Sequence, residues 1–213
     1  MIKALLLIFD PRATWEGIFR ARRTMASILL IYLLPMLLFV AVVEGYGLIH
    51  WGKWQGEVGR LKKFPVGEAA IIETAEFLLS LLVVFLGAKM IKSIGETFHG
   101  RHTYAQAFTA VVYGLSPFFL LRLLDAFSWS SGWLAPWVVP WSIGISLSIA
   151  VLYHGVPRMM EPDPPNAFGL FLMSALLLAL VTGLMRFVTA AYLRGEFSEL
   201  QVIISNLAAR LPF

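Results

Sequence analysis

The sequence predicts an all-α polytopic membrane protein, a five-transmembrane-helix bundle with short interfacial helices at both termini, and three observations carry that prediction. Of its 213 residues, 59% are hydrophobic and only 14% charged, with a mean hydropathy of +0.77, whereas soluble domains have roughly 45–50% apolar and about 25% charged residues. Five apolar segments are each long enough to cross the hydrocarbon core, which takes about 20 helical residues. The connections between them are rich in Pro, Gly, Trp and basic residues, as befits turns and headgroup-level loops. Cysteine is absent, which excludes disulfides, thiolate metal sites and cysteine nucleophiles. The net charge of +4 comes from basic residues spread over loops beside the spans, where anionic headgroups are the simpler partner, so nucleic acid is not expected.

At the N-terminus, the apolar run Ala4 to Phe9 is short for a signal-peptide core and is interrupted by Asp10-Pro11, so it reads as retained. Asp10 fits a helix N-cap with Pro11 at the first helical position, which predicts a short surface helix over ATWEGIFRARR. Its Trp15, Ile18 and Phe19 are expected to dip toward lipid, with Arg20, Arg22 and Arg23 at the headgroups.

The first span is placed at 25–49, with a bend at Pro35, which cannot donate to the carbonyl of Ile31. A loop follows with Trp51, Lys53, Trp54, Lys62 and Lys63, and the second span is placed at 67–91. The third, 104–124, opens on Thr103-Tyr104-Ala105-Gln106, a capping-box pattern. A second bend is expected over Tyr113, Gly114, Ser116 and Pro117, with the Ser116 hydroxyl available to a freed carbonyl. The fourth span is placed at 136–156 with Pro140 as a third kink; the four prolines of PRMMEPDPPNA should end it, and Asn166 should cap the fifth, 167–193. The tail puts Phe197, Leu200, Ile203, Ile204, Leu207 and Leu211 at helical spacing, which predicts an interfacial helix.

Small residues at regular spacing mark packing faces: Ala175, Ala179 and Gly183; Pro140, Gly144 and Ser148; Ala107, Ala110 and Gly114. Glu73, Glu76, Ser80 and Gly87 share a face of the second span. With the N-terminus inside, nine Lys and Arg fall on the cytoplasmic side and six outside, which orients the chain with its C-terminus outside.

In that orientation Glu44, Glu73, Glu76, Arg122 and Arg186 come to the outer third of the membrane, with Asp125 just beyond, as one charged layer. Charges at such depth cost free energy, and three readings stand. Glu73, Arg122 and Asp125 snorkel to the surface while the rest form structural ion pairs; a pair such as Glu76 with Arg186 is structurally important; or the excess of acids holds a cation or a shared proton on a transport path. On the other side, Glu96, His99 and His102, with His154, offer imidazole and carboxylate ligands suited to zinc. Gly95 and Gly100 favour the simpler reading of a turn with solvated histidines, and no cofactor is expected. No phosphate loop, HExxH or GxSxG pattern appears, so an enzyme is not expected.

The chain resembles the Yip1 family through DPRATWEGI before the first span, through FHGRHTYAQAF leading into VYGLSP, and through LYHGVPRMM at the end of the fourth. The Phe98-x-Gly100 turn, the Thr103-Tyr104 step and the Tyr113-x-x-x-Pro117 spacing carry the likeness. The resemblance implies one Yip1-like transmembrane domain over 1–213, with a cytoplasmic N-terminus. Eukaryotic members are associated with small Rab-type GTPases and vesicle formation. The first 24 residues here offer little docking surface and an Asp-Leu-Tyr-Gly-Pro motif is absent, so GTPase binding is not expected and the form is similar to short prokaryotic relatives. The function expected is that of a scaffold or adaptor in a bacterial-type inner membrane, with lipids, further copies of the chain or other membrane proteins as partners. The rival is a small transporter, channel or lipid-handling protein using the outer charged layer.

Overall fold

The computed structural model describes residues 2–55, 60–98, 103–127 and 137–209. Five helical segments are long and apolar enough to span a membrane: Met25–His50, Val66–Thr97, Tyr104–Ala126, Val138–Met160 and Pro164–Arg194. The third is central, with 78% of its most apolar stretch buried against 33–39% in the other four. Leu30, Ile31, Leu38, Leu176, Leu180 and Leu184 project outward from the bundle. In a bilayer that is the stable arrangement, since lipid solvates apolar side chains and leaves close packing to hold the helices together.

Two short helices precede the spans. Helix α1 (Ile2–Phe9) and α2 (Pro11–Ala21) fold back on each other, with the Asp10 carboxylate accepting from the Ala13 N–H at 3.2 Å and Pro11 opening α2. Trp15 and Ile18 do not face lipid as expected; both are buried in the protein. The Trp15 indole N–H donates to the Val151 carbonyl at 2.9 Å, and its ring lies where a Cβ on Gly155 would be. The indole therefore satisfies its one donor inside the fold. At the edge of this contact the Glu16 carboxylate accepts from Arg158 at 3.0 and 3.1 Å, and the Arg158 guanidinium sits 4.1 Å from the Phe19 ring.

The first span comprises α3 (Met25–Ile28), a π-turn (Leu29–Leu33) and α4 (Leu34–His50). The widened turn stands directly before Pro35, whose missing N–H breaks the regular ladder there. A two-stranded hairpin follows, β1 (Lys53–Gln55) antiparallel to β2 (Arg60–Lys62), where the sequence indicated only a loop. Helix α5 (Val66–Thr97) forms the second span.

The third span is broken as expected. Helix α6 (Tyr104–Gly114) starts at the Thr103–Gln106 capping box and stops before Leu115; α7 (Ser116–Leu121) restarts with Pro117 in its first turn and gives way to a 3₁₀ turn, Arg122–Ala126. Two side chains satisfy the break. Ser116 Oγ donates to the Val112 carbonyl at 2.9 Å and accepts from the Tyr32 hydroxyl at 2.7 Å. Ser148 Oγ, from the small-residue face of the fourth span, accepts the Phe118 N–H at 3.2 Å, an orphan donor of the new helix start.

Helix α8 (Val138–Met160) departs from expectation at both prolines. Pro140 lies in the first turn, where its nitrogen has no intrahelical partner to lose, so it makes no kink. Pro157 does not end the helix, which continues to Met160 and closes on Glu161 in a left-handed conformation. A 3₁₀ turn (Pro164–Asn166) leads into α9 (Ala167–Arg194), and Asn166 stands at the N-cap without making a side-chain cap. Helix α10 (Ser198–Ala208) forms the tail and has no fully buried side chain.

Candidate functional site

The charged groups expected at one depth converge in a layer of ion pairs inside the bundle. Glu44 comes from α4, Glu73 and Glu76 from α5, Arg122 and Asp125 from the 3₁₀ turn, and Arg186 from α9; each is at most 8% exposed. Arg122 and Asp125 face the same way because three residues complete one turn of a 3₁₀ helix. Close approach of that turn to α4 depends on Gly47, where a Cβ would come within 2.2 Å of the Ala126 carbonyl oxygen.

Arg122 holds three elements together. Its Nε and Nη2 donate to the two oxygens of Glu44, the former at 3.2 Å, in the paired geometry that suits a guanidinium and a carboxylate. Nη2 also donates to Glu76, and Nη1 to Ser80 Oγ at 2.8 Å, while the Ser80 hydroxyl donates to the Glu76 carbonyl. Arg186 donates from Nη1 to Glu76 at 3.2 Å and from Nη2 to Asp125. Glu76 thus joins both cations, and the Glu76–Arg186 pairing expected from sequence is present. The snorkelling expected of Glu73, Arg122 and Asp125 is not found: all three are buried inside the bundle, where Arg122 and Asp125 meet partners of opposite charge.

Lys53, read in the sequence only as a loop charge, completes the layer. From β1 its ammonium donates to the Asp125 carbonyl oxygen. Burial pushes its pKa below the ordinary lysine value, with the Asp125 carboxylate opposing that shift. Four carboxyl groups then face three cations, and Glu73 is the acid left over. Its Oε2 is buried without a hydrogen-bond partner, and one oxygen from each of Glu44, Glu73 and Glu76 lies within 4.8 Å of the other two.

The histidine group is placed only in part. Glu96 is exposed and pairs with Lys92 at 3.2 Å. His154 is half-buried on α8 beside Tyr153. His99 and His102 lie outside the described residues, as does the Ser-rich turn after Asp125. Sequence reasoning missed Lys53, Ser80 as an arginine partner, and the Gly47 contact. The face shared by Glu73, Glu76 and Ser80 already signalled the second of these.

Apolar outer faces around a central broken helix, enclosing a closed layer of ion pairs, define a multi-pass integral membrane protein. A family model, the Yip1 domain, matches residues 5–185, and the chain belongs to the Yip1 family, whose members are generally non-enzymatic membrane proteins of trafficking. The match includes every member of the charged layer except Arg186. Searches of curated proteins and of solved structures gave no match.

Proposed function

We propose that the chain is a non-enzymatic scaffold or adaptor of a bacterial-type inner membrane, acting through helix contacts with further copies of itself or with other membrane proteins. In this reading the N-terminus is cytoplasmic and the C-terminus outside. The observation that carries the proposal is the closure of the polar layer: Glu44, Glu76, Asp125, Arg122 and Arg186 answer one another inside the bundle, while the outer faces are rows of Leu and Ile. Chemistry held inward leaves the apolar outer faces for association. Native mass spectrometry after extraction in mild detergent tests it, with a stoichiometric homo-oligomer or a specific co-purified membrane protein expected. A lone monomer that carries ions across liposomes would overturn the proposal.

A second reading, a proton or cation path, draws on the Glu73 carboxyl beside Glu44 and Glu76, one oxygen of which is buried without a hydrogen-bond partner. It requires proton flux in dye-loaded proteoliposomes that Glu73→Gln abolishes.

A further inference from the structure

On the face opposite the charged layer, a cleft of about 380 Å³ opens where α2, the start of the first span, α6 and the end of α8 meet. Its polar lining is mostly donors. Arg22 and Arg23 border it, and neither has an acidic partner within ion-pair distance among the described residues. Tyr113 lines it too, 1% exposed, with a hydroxyl that has no hydrogen-bond partner. Gln106 accepts from the Thr103 N–H through Oε1 at 2.7 Å, which leaves its amide nitrogen free to donate. Among the described residues Glu161 is the single carboxylate on the lining, so the two guanidinium groups outweigh it. Lys3 stands near enough to Arg23 to feel its charge; burial first, and then that charge, hold the Lys3 ammonium below its ordinary pKa.

The backbone around the cleft is unusual as well. Among the described residues, only two non-glycine residues have positive φ, Arg22 at 41° and Glu161 at 42°, and both border this cleft. Both are the residues on which α2 and α8 end in a left-handed turn, a helix termination more often taken by glycine, so the two helix ends bring Arg22 and Glu161 to the cleft. The rest of the described wall is Ile18, Phe19, Ile28, Ala105 and Met159, with Thr109, whose hydroxyl donates to the Ala105 carbonyl at 2.7 Å.

Unpaired guanidinium groups, a buried hydroxyl donor and apolar neighbours at one end of a membrane-spanning bundle match one ligand chemistry. We infer that this cleft binds the phosphate of an anionic phospholipid headgroup between Arg22, Arg23 and Tyr113, with the glycerol and upper acyl chain leaving past the half-buried Phe19. The inference does not rest on the scaffold reading, because it uses no residue of the charged layer.

The test uses the full chain, delipidated in a mild detergent, with dioleoyl phosphatidylglycerol, dioleoyl phosphatidylcholine and inorganic phosphate as probes. Native mass spectrometry and thermal unfolding should show one phosphatidylglycerol bound per chain and a raised midpoint, with little effect of phosphatidylcholine. Arg22→Gln with Arg23→Gln should weaken that binding about tenfold or more, and Tyr113→Phe by a smaller factor. Arg12→Gln with Arg20→Gln removes the same charge from α2 away from the cleft and should leave binding unchanged. Equal binding of the two lipids, or equal loss in the two double variants, would overturn the site. If inorganic phosphate gives the full midpoint rise and displaces the lipid, the phosphate site stands with a soluble anion as its ligand. Tyr113 is buried and its variant could be disturbed in folding; the exposed Arg22 and Arg23 pair keeps the outcome decisive.

Discussion

Glu73 and Arg122 belong to the same layer in opposite circumstances. Arg122 is bonded to Glu44, Glu76 and Ser80, so Arg122→Leu strands buried acids and is expected to destabilise the protein by about 3–5 kcal/mol. Glu73 has an oxygen without a partner, so Glu73→Gln is expected to leave stability unchanged or raise it by about 1 kcal/mol. Denaturant unfolding in detergent measures both, and a large loss for Glu73→Gln would show that its carboxyl is held by a partner. Membership of the layer was legible in the sequence for the six groups on the spans, because counting residues along each span gives depth, but not for Lys53 on the hairpin. Pairing was not. It depends on the 3₁₀ winding that aligns Arg122 with Asp125, and on a hairpin that brings Lys53 back to a span end 72 residues later.

The breaks in the helices were legible where proline removes a donor inside a span and illegible where the neighbouring helix decides the outcome. Pro35 and Pro117 both stand at interruptions, while Pro140 does not, since it falls in a first turn. At the Pro117 break the Phe118 N–H depends on Ser148 of another helix. Ser148→Ala is therefore expected to cost about 1–3 kcal/mol in unfolding free energy through a buried, unsatisfied donor. The junction of α2 with α8 adds a pH dependence. Hydrogen bonds from Arg20, with Arg158 contributing, hold the Glu16 carboxyl below its ordinary pKa. A lowered carboxylate pKa gives stability that is present above the unfolded value and lost as pH falls through the folded one. The thermal midpoint of the wild type should fall more steeply than that of Glu16→Gln on acidification through the glutamate range. Parallel curves would remove Glu16 from the account.

For the molecule as a whole, the five spans were readable because the bilayer imposes length and apolarity on each of them. The placement of α1 and α2 was not, since a Trp beside arginines reads equally as a lipid anchor or as a core residue until Gly155 is seen beneath it. The tail is the opposite case: no side chain of α10 is fully buried, so a chain ending before Ser198 should unfold within a few degrees of the full protein. The ion pairs also impose an order on biosynthesis. Glu44, Glu73 and Glu76 leave the ribosome before either buried arginine; Arg122 follows Glu76 by 46 residues and Arg186 by 110. The first two spans must therefore enter the bilayer carrying acids whose guanidinium partners have not yet been made. A nascent chain stopped after the second span should integrate poorly, glutamine at all three acids should restore it, and extension through Asp125 should do the same without any substitution.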